Sequence, residues 1–213
     1  MKYKNVYFFN GTAYAGKSTI VKELALKHNG IECGENYHNV LLKDLDKNEF
    51  PGLCYTRDLQ DWALFIRRSP EEYEKWIDET SKECEILELR ILDKLSKENK
   101  LVFVDTNISI ETLHKISDKD HVLIMLASPD VSVNRFFERE DKDKQFLYSL
   151  LLKEKDVDKA MNNFKECLKR INSQERYDKF LNSGFNVLIK DENRTIEETV
   201  KLVEDILKLF GLY

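Results

Sequence analysis

The sequence predicts an α/β fold, a three-layer sandwich whose five-stranded parallel sheet carries helices on both faces. Three observations predict it. Short apolar runs alternate with stretches of helical periodicity, the pattern of a parallel sheet covered on both sides. Only 7 glycines and 3 prolines occur in 213 residues, so the chain has few breakers and should be rich in helix. Apolar residues make up 42% of the chain, enough for a sizeable core in one domain over 1–213. Right-handed crossovers then gather the strand C-termini along one edge, where ligands bind.

The elements follow in order. Val6-Tyr-Phe-Phe9 is an apolar, aromatic first strand. Lys17 to Asn29 places Ile20, Val21, Leu24 and His28 on one helical face, and Gly30 sits at the C-terminal cap position. Ile31-Glu-Cys33 reads as a second short strand, and residues 34–70 read as irregular. Ser69-Pro-Glu-Glu opens a long helix to about Glu98, with a stripe of Trp76, Thr80, Cys84, Leu87, Ile91 and Leu95. Leu101 to Val104 is a third strand closed by Asp105, and residues 110–117 form a short helix. His121 to Ala127 is the fourth strand; Ser128-Pro129 starts a helix with proline at its first position. From about Gln145 to Asn182 the pattern is helical, with a break near Asn172 and an end at Gly184. Asn186 to Ile189 is the fifth strand. Thr195-Ile-Glu-Glu198 is a capping box, and the last helix presents Val200, Val203, Ile206, Leu207 and Phe210. No internal repeat, low-complexity segment or linker interrupts the chain.

Charge and composition exclude some classes. A net charge of −5 gives no support to a nucleic-acid footprint, and 34% charged residues suit a solvated surface. The opening MKYKNVYFFNG does not read as a signal peptide, and no apolar run approaches a membrane span. Cys33, Cys54, Cys84 and Cys167 lie far apart with no C-x-x-C, which reads as reduced thiols in a cytoplasmic protein. The four histidines show no ligand spacing for a structural metal.

Between the first strand and the first helix stands NGTAYAGKST, with the spacing G-x-x-x-x-G-K-S from Gly11 to Ser18. Chance would give this spacing in about one such chain in a hundred. A triphosphate needs donors that bring no competing charge. Backbone N–H groups of Thr12, Ala13, Tyr14, Ala15, Gly16, Lys17 and Ser18, wrapped at a helix N-terminus, provide them. Gly11 permits the sharp exit from the strand and Gly16 lets backbone approach the phosphates. Lys17 should reach the outer phosphates, and Ser18 should coordinate Mg²⁺. Thr19 either caps this region or is an ordinary helical threonine. Asp105, at the end of L-V-F-V, suits the second Mg²⁺ anchor, held through water; beside that stands an aspartate that only starts a turn. Arg135 and Arg139 fall four apart in VNRFFERED, so they share a helix face and suit phosphate oxygens; the plainer reading is a solvated face paired with Glu138 and Asp141.

GTAYAGKS, LVFVD and ASPDVSVNRFFERE together resemble the P-loop kinases of the nucleoside monophosphate kinase and shikimate kinase type. The resemblance covers residues 5–30 and 101–210, and it implies a P-loop NTPase, nucleotide-kinase-like domain that uses ATP and Mg²⁺. It implies that Arg135 and Arg139 belong to a short lid over residues 135–150. NVLIKDENRTIEETVKLVEDIL resembles the family's last strand and helix, which places Asp191 to Arg194 against the adenine. Residues 31–100 match no single member and are where the family binds its acceptor.

The expected function is transfer of the γ-phosphoryl group of ATP to a small molecule, with Lys17, Asp105, Arg135 and Arg139 in the catalytic machinery. A nucleotide-like acceptor needs arginines, and Arg57, Arg67 and Arg68 offer them, with Trp62 able to stack on a base. A small alcohol or an antibiotic needs a carboxylate base, and Glu35 offers that. Each has a plainer role: Arg67-Arg68 as a solvated helix end, Glu35 as a turn residue, Trp62 as core. The leaning is toward the nucleotide-like acceptor. A different class, an ATP-binding switch or ATPase acting on a protein partner, uses the same cradle.

Overall fold

A computed structural model describes residues 2–138 and 142–209. Its sheet has five strands: β1 (Val6–Gly11), β2 (Ile31–Cys33), β3 (Val102–Asp105), β4 (Val122–Leu126) and β5 (Asn186–Ile189). All pair in parallel, in the order β2-β3-β1-β4-β5. The helices are α1 (Lys17–Lys27), α2 (Pro51–Asp58), α3 (Ala63–Ile66), α4 (Pro70–Leu95), α5 (Ile110–Ile116), α6 (Pro129–Asn134), α7 (Lys142–Leu151), α8 (Val157–Ile171), α9 (Gln174–Leu181) and α10 (Ile196–Leu207). A 3-10 helix covers Tyr37–Asp44.

The period-two geometry of a strand divides β1 between two cores. Tyr7 and Phe9 point to one face, where Ile20, Val21 and Leu24 of α1 pack with Val200, Val203 and Leu207 of α10. Val6 and Phe8 point to the other, against Leu92 of α4, Leu113 of α5 and Phe180 of α9. The expected two-faced parallel sheet is therefore present. A further apolar cluster forms without the sheet, from Phe65, Ile66, Tyr73, Val133, Leu151, Phe164 and Leu168. It unites α3, α4, α6, α7 and α8 into a helical lobe.

Connectivity places the candidate chemistry. From β1 the chain passes β3 to reach β2, and from β3 it passes β1 to reach β4. The ends of these neighbouring strands consequently lie side by side. Phe9 stands opposite Asp105, and Gly11 opposite Met125.

Four expectations are corrected. Residues 34–70 are not irregular: they contain the 3-10 helix, α2 and α3. Pro51 starts α2, whose first N–H groups are capped by Glu83 across the lobe, a tertiary contact that local sequence does not display. The long helix stops at Leu95 rather than about Glu98, and its buried face takes Glu83, Glu88 and Leu92 in place of Ile91. The helical stretch after Gln145 begins earlier, at Lys142, and breaks twice. The expected break falls at Asn172–Ser173; the other falls before Val157, where the Asp156 side chain accepts from the Lys159 N–H. Finally, α6 ends at Asn134, so Arg135 lies in a turn and not on a helix face.

A buried carboxylate ties α1 to α10. Glu204 is 3% exposed and accepts from Lys27 Nζ at 2.7 Å, with His28 Nε2 at 2.9 Å. Replacing Glu204 by alanine removes both of these contacts and the tie. A loss of about 3 kcal/mol is expected, read as a lowered urea midpoint with unchanged slope.

Candidate functional site

The loop from Gly11 to Gly16 is held by side chains, by carbonyls and by the Thr12 N–H, which is engaged by protein rather than open to a phosphate as expected. Gly11 has φ +124°, and a Cβ there would fall 2.0 Å from the Met125 carbonyl oxygen. Only glycine lets β1 end so close to β4. Thr12 then locks on: its N–H donates to Met125 O at 3.1 Å, its hydroxyl donates to Ala127 O at 3.1 Å, and it accepts from the Ala127 N–H at 2.7 Å. The Ala13 carbonyl accepts from Ser132 Oγ at 3.2 Å. Tyr14, itself at φ 64°, donates its hydroxyl proton to the Arg135 carbonyl at 2.9 Å. Ala15 is buried, and Gly16 takes φ +91° with open space where a Cβ would stand.

α1 starts at Lys17 with no side chain capping its N-terminus. The N–H groups of Gly16, Lys17 and Ser18 have no acceptor among the described residues. Uncapped N–H groups at the positive end of a helix dipole form an anion-binding concavity. Thr19 is exposed on the first turn and caps nothing.

Beside this concavity sits a compact polar group. Ser18 Oγ donates to Asp105 Oδ2 at 2.7 Å. Lys17 Nζ lies 3.9 Å from Asp105 Oδ1 and donates to the Thr12 carbonyl at 2.9 Å. Asp105 is 5% exposed. Burial raises its pKa above the ordinary 3.8; Lys17 and the Ser18 hydrogen bond oppose the rise, while the charges of Glu35 and Glu88 add to it. A hydroxyl and a carboxylate side by side are the hard oxygen donors that suit Mg²⁺.

The support behind Asp105 was not foreseen. Glu88 of α4 is fully buried and accepts from Thr106 Oγ1 at 2.6 Å and from the Asn107 N–H at 3.1 Å. It fixes the backbone that follows Asp105. His38 Nδ1 lies 3.4 Å from Glu88 Oε1, out of line for a hydrogen bond. His38 Nε2 is 3.3 Å from Cys84 Sγ. That pair is no nucleophile, because burial pushes the Cys84 thiol up to about 12. In the sequence Glu88 is lost in the charged run E-I-L-E-L-R; the polar Thr106-Asn107 pair after the strand was the available signal.

A second side of the loop carries cations. Arg135 is half-exposed, with Nη1 3.7 Å from Glu192 Oε1 and Nε 3.9 Å from Glu138 Oε2. It thereby joins the turn after α6 to the loop holding Arg194, whose Nη2 is 3.9 Å from Asp191 Oδ2. Asp191, Asn193, Arg194 and Glu198 line an open cavity of about 390 Å³. Lys144 of α7 lies 5.7 Å from the Tyr14 ring, a cation the sequence did not single out. Arg139, expected to share a helix face with Arg135, lies outside the described residues.

The acceptor candidates are scattered. Glu35 is exposed after β2 and its charge reaches Asp105. Arg57 is held by Asp58 at 2.7 Å and by the carbonyls of Leu42 and Leu45 at 3.1 and 2.9 Å. Arg67 binds Glu154 through both Nε and Nη2, at 3.0 and 2.8 Å. Arg68 lies over the Tyr55 ring at 4.4 Å. Trp62 packs edge-on against Phe65 and Phe146, in the role of a core side chain.

No protein-family model matches the chain, and no curated protein shows significant similarity to it. None of the described helices is long and apolar enough to cross a membrane.

Asp105 gives a pH signature. A carboxyl with a raised folded-state pKa holds its proton more tightly when folded. It therefore favours the fold below 3.8 and loses that contribution as pH climbs through the raised value. Asp105→Asn should match the wild-type melting temperature in acid and exceed it at neutral pH. Equal melting temperatures across the whole range would contradict this electrostatic description.

Proposed function

We propose that the protein is a Mg²⁺-dependent phosphotransferase of the P-loop kinase type, moving the γ-phosphoryl group of ATP to a small molecule. One observation carries the reading: Ser18 Oγ and Asp105 Oδ2 meet at 2.7 Å, with Lys17 Nζ 3.9 Å away, at the open end of an uncapped helix. This is a complete set of groups for binding a nucleoside triphosphate with its metal. The ATP phosphates lie along the N–H groups of Gly16, Lys17 and Ser18. Ser18 and Asp105 would hold Mg²⁺, which neutralises charge on the phosphate oxygens when bound. Lys17, today donating to the Thr12 carbonyl, turns to the outer phosphates. Arg135, whose carbonyl holds Tyr14 and whose guanidinium reaches Glu192, and Lys144, near the Tyr14 ring, would counter the charge that spreads over the moving phosphoryl group. The base lies against the Asp191–Arg194 loop, which Glu192 links to Arg135.

Two acceptor classes make opposite demands. A nucleotide-like acceptor calls for free arginines; Arg57 and Arg67 are committed to carboxylates, and Arg68 stands apart among the Tyr55, Phe65 and Trp76 rings. A hydroxyl acceptor calls for a base, and Glu35 stands close enough for its charge to act on Asp105. The second arrangement favours an alcohol-bearing acceptor, such as a sugar or an antibiotic, with Glu35 taking the hydroxyl proton.

Lys17→Met is the direct test. Phosphoryl transfer from ATP across an acceptor panel should fall by at least about 100-fold, with the melting temperature preserved. Undiminished transfer in the variant would overturn the assignment. A wild-type protein that binds ATP but phosphorylates nothing on the panel would point instead to a nucleotide switch.

A further inference from the structure

A second site lies in the helical lobe, on the other side of α4. There a cavity of about 630 Å³ opens between α2, α3 and the first turns of α4, with Pro51, Tyr55, Leu64, Arg68 and Trp76 in its walls. Trp76 precedes Glu88 by about 18 Å along the helix axis and is turned from it by about 120°, with Glu79 turned by about 180°. The cavity therefore faces away from the side of α4 that supports Asp105.

One of its charged groups stands apart from the others. Arg67 is paired with Glu154 at 2.8 Å, and Lys75 with Glu79 at 3.8 Å. Glu72 is occupied by the Ser69 N–H at 2.8 Å, in the capping box of α4. Arg68 differs. Among the described residues it makes no ion pair, and its Nη1 is buried without a hydrogen-bond partner. Three rings surround the guanidinium, Tyr55 at 4.4 Å, Phe65 at 5.1 Å and Trp76 at 5.3 Å. Their faces offset part of the cost of a partly buried cation, and no carboxylate offsets the rest. The residue is also fixed in place: Asn163 Nδ2 donates to its carbonyl at 2.8 Å, and Cys167 Sγ lies 3.7 Å from the same oxygen.

We infer that this cavity binds a small planar organic anion, an aromatic carboxylate whose charge pairs with Arg68 while its ring lies among Trp76, Tyr55, Leu64 and Pro51. The volume suits a one- or two-ring molecule. The flat guanidinium fork suits a carboxylate. Aromatic rings around a cation with no ion-pair partner among the described residues select for an organic anion over a bare one. The inference is independent of ATP binding at the Gly11–Ser18 loop, since no wall of the cavity belongs to that loop, although Arg67 and Arg68 are also arginines that the sequence offers for an acceptor.

Titration calorimetry on the full chain tests it with 2-naphthoate as probe. Binding is expected, with affinity at least tenfold above that of the neutral isostere 2-naphthalenemethanol and of inorganic phosphate. Arg68→Gln should weaken 2-naphthoate at least tenfold, and Lys17→Met should leave it unchanged. Leu64→Trp, which fills the cavity from an exposed position, should weaken it likewise and guards against misfolding of the first variant. Absent binding, affinity undiminished from wild type in both lobe variants, or a loss in Lys17→Met alone would overturn the site.

Discussion

The close approach of Gly11 to the Met125 carbonyl is the constraint on which the candidate site depends. It brings the end of the central strand against β4 at a distance that no side chain tolerates. Thr12 can then exchange hydrogen bonds with Ala127 and Met125, and the next residues are drawn over the sheet edge. Because carbonyls and side chains do the anchoring, the N–H groups that open α1 are left pointing away from protein acceptors. The same crossover that makes β1 central puts Asp105 one strand away, within reach of Ser18. Strand order, loop geometry and the polar trio are thus consequences of one packing requirement.

Buried carboxylates divide the labour in the rest of the molecule. Glu83 caps α2, Glu88 fixes the backbone beyond Asp105, and Glu204 ties α1 to α10. Each accepts several donors, so burial is offset locally. Asp105 is less well served: one hydroxyl and a more distant ammonium face it, and burial still raises its pKa. A fold that leaves one carboxylate under-compensated at a strand end, while satisfying the others, stores electrostatic cost where a cation would relieve it.

Much of this was legible in the sequence, for physical reasons that differ by element. β1, β3 and β4 announce themselves because strands buried on both faces are nearly all apolar, whereas the edge strands β2 and β5 are part-exposed and show as short apolar runs. α1, α4 and α10 carry their own caps or glycine punctuation, so their starts were readable at Gly16, Ser69 and Thr195. The loop residues were found through spacing, and Asp105 through the apolar run before it. Residues 34–70 were not legible, because α2 is capped by a glutamate from a distant helix and short helices lack periodicity. Glu88 was hidden for a related reason: a buried acid and a solvated acid look alike until the Thr106-Asn107 turn is laid over it. Arg135 was found by motif but given the wrong geometry, since four-residue spacing implies a shared face only if the helix continues past Asn134.

The most direct measurement is a double-mutant cycle on Ser18 and Asp105, read as the affinity for ATP with and without Mg²⁺. With both groups acting on one metal, Ser18→Ala and Asp105→Asn should each weaken binding only when Mg²⁺ is present, and the double variant should lose little more than either alone. Losses that add fully, or that persist unchanged without Mg²⁺, would contradict a shared metal site at the end of β3.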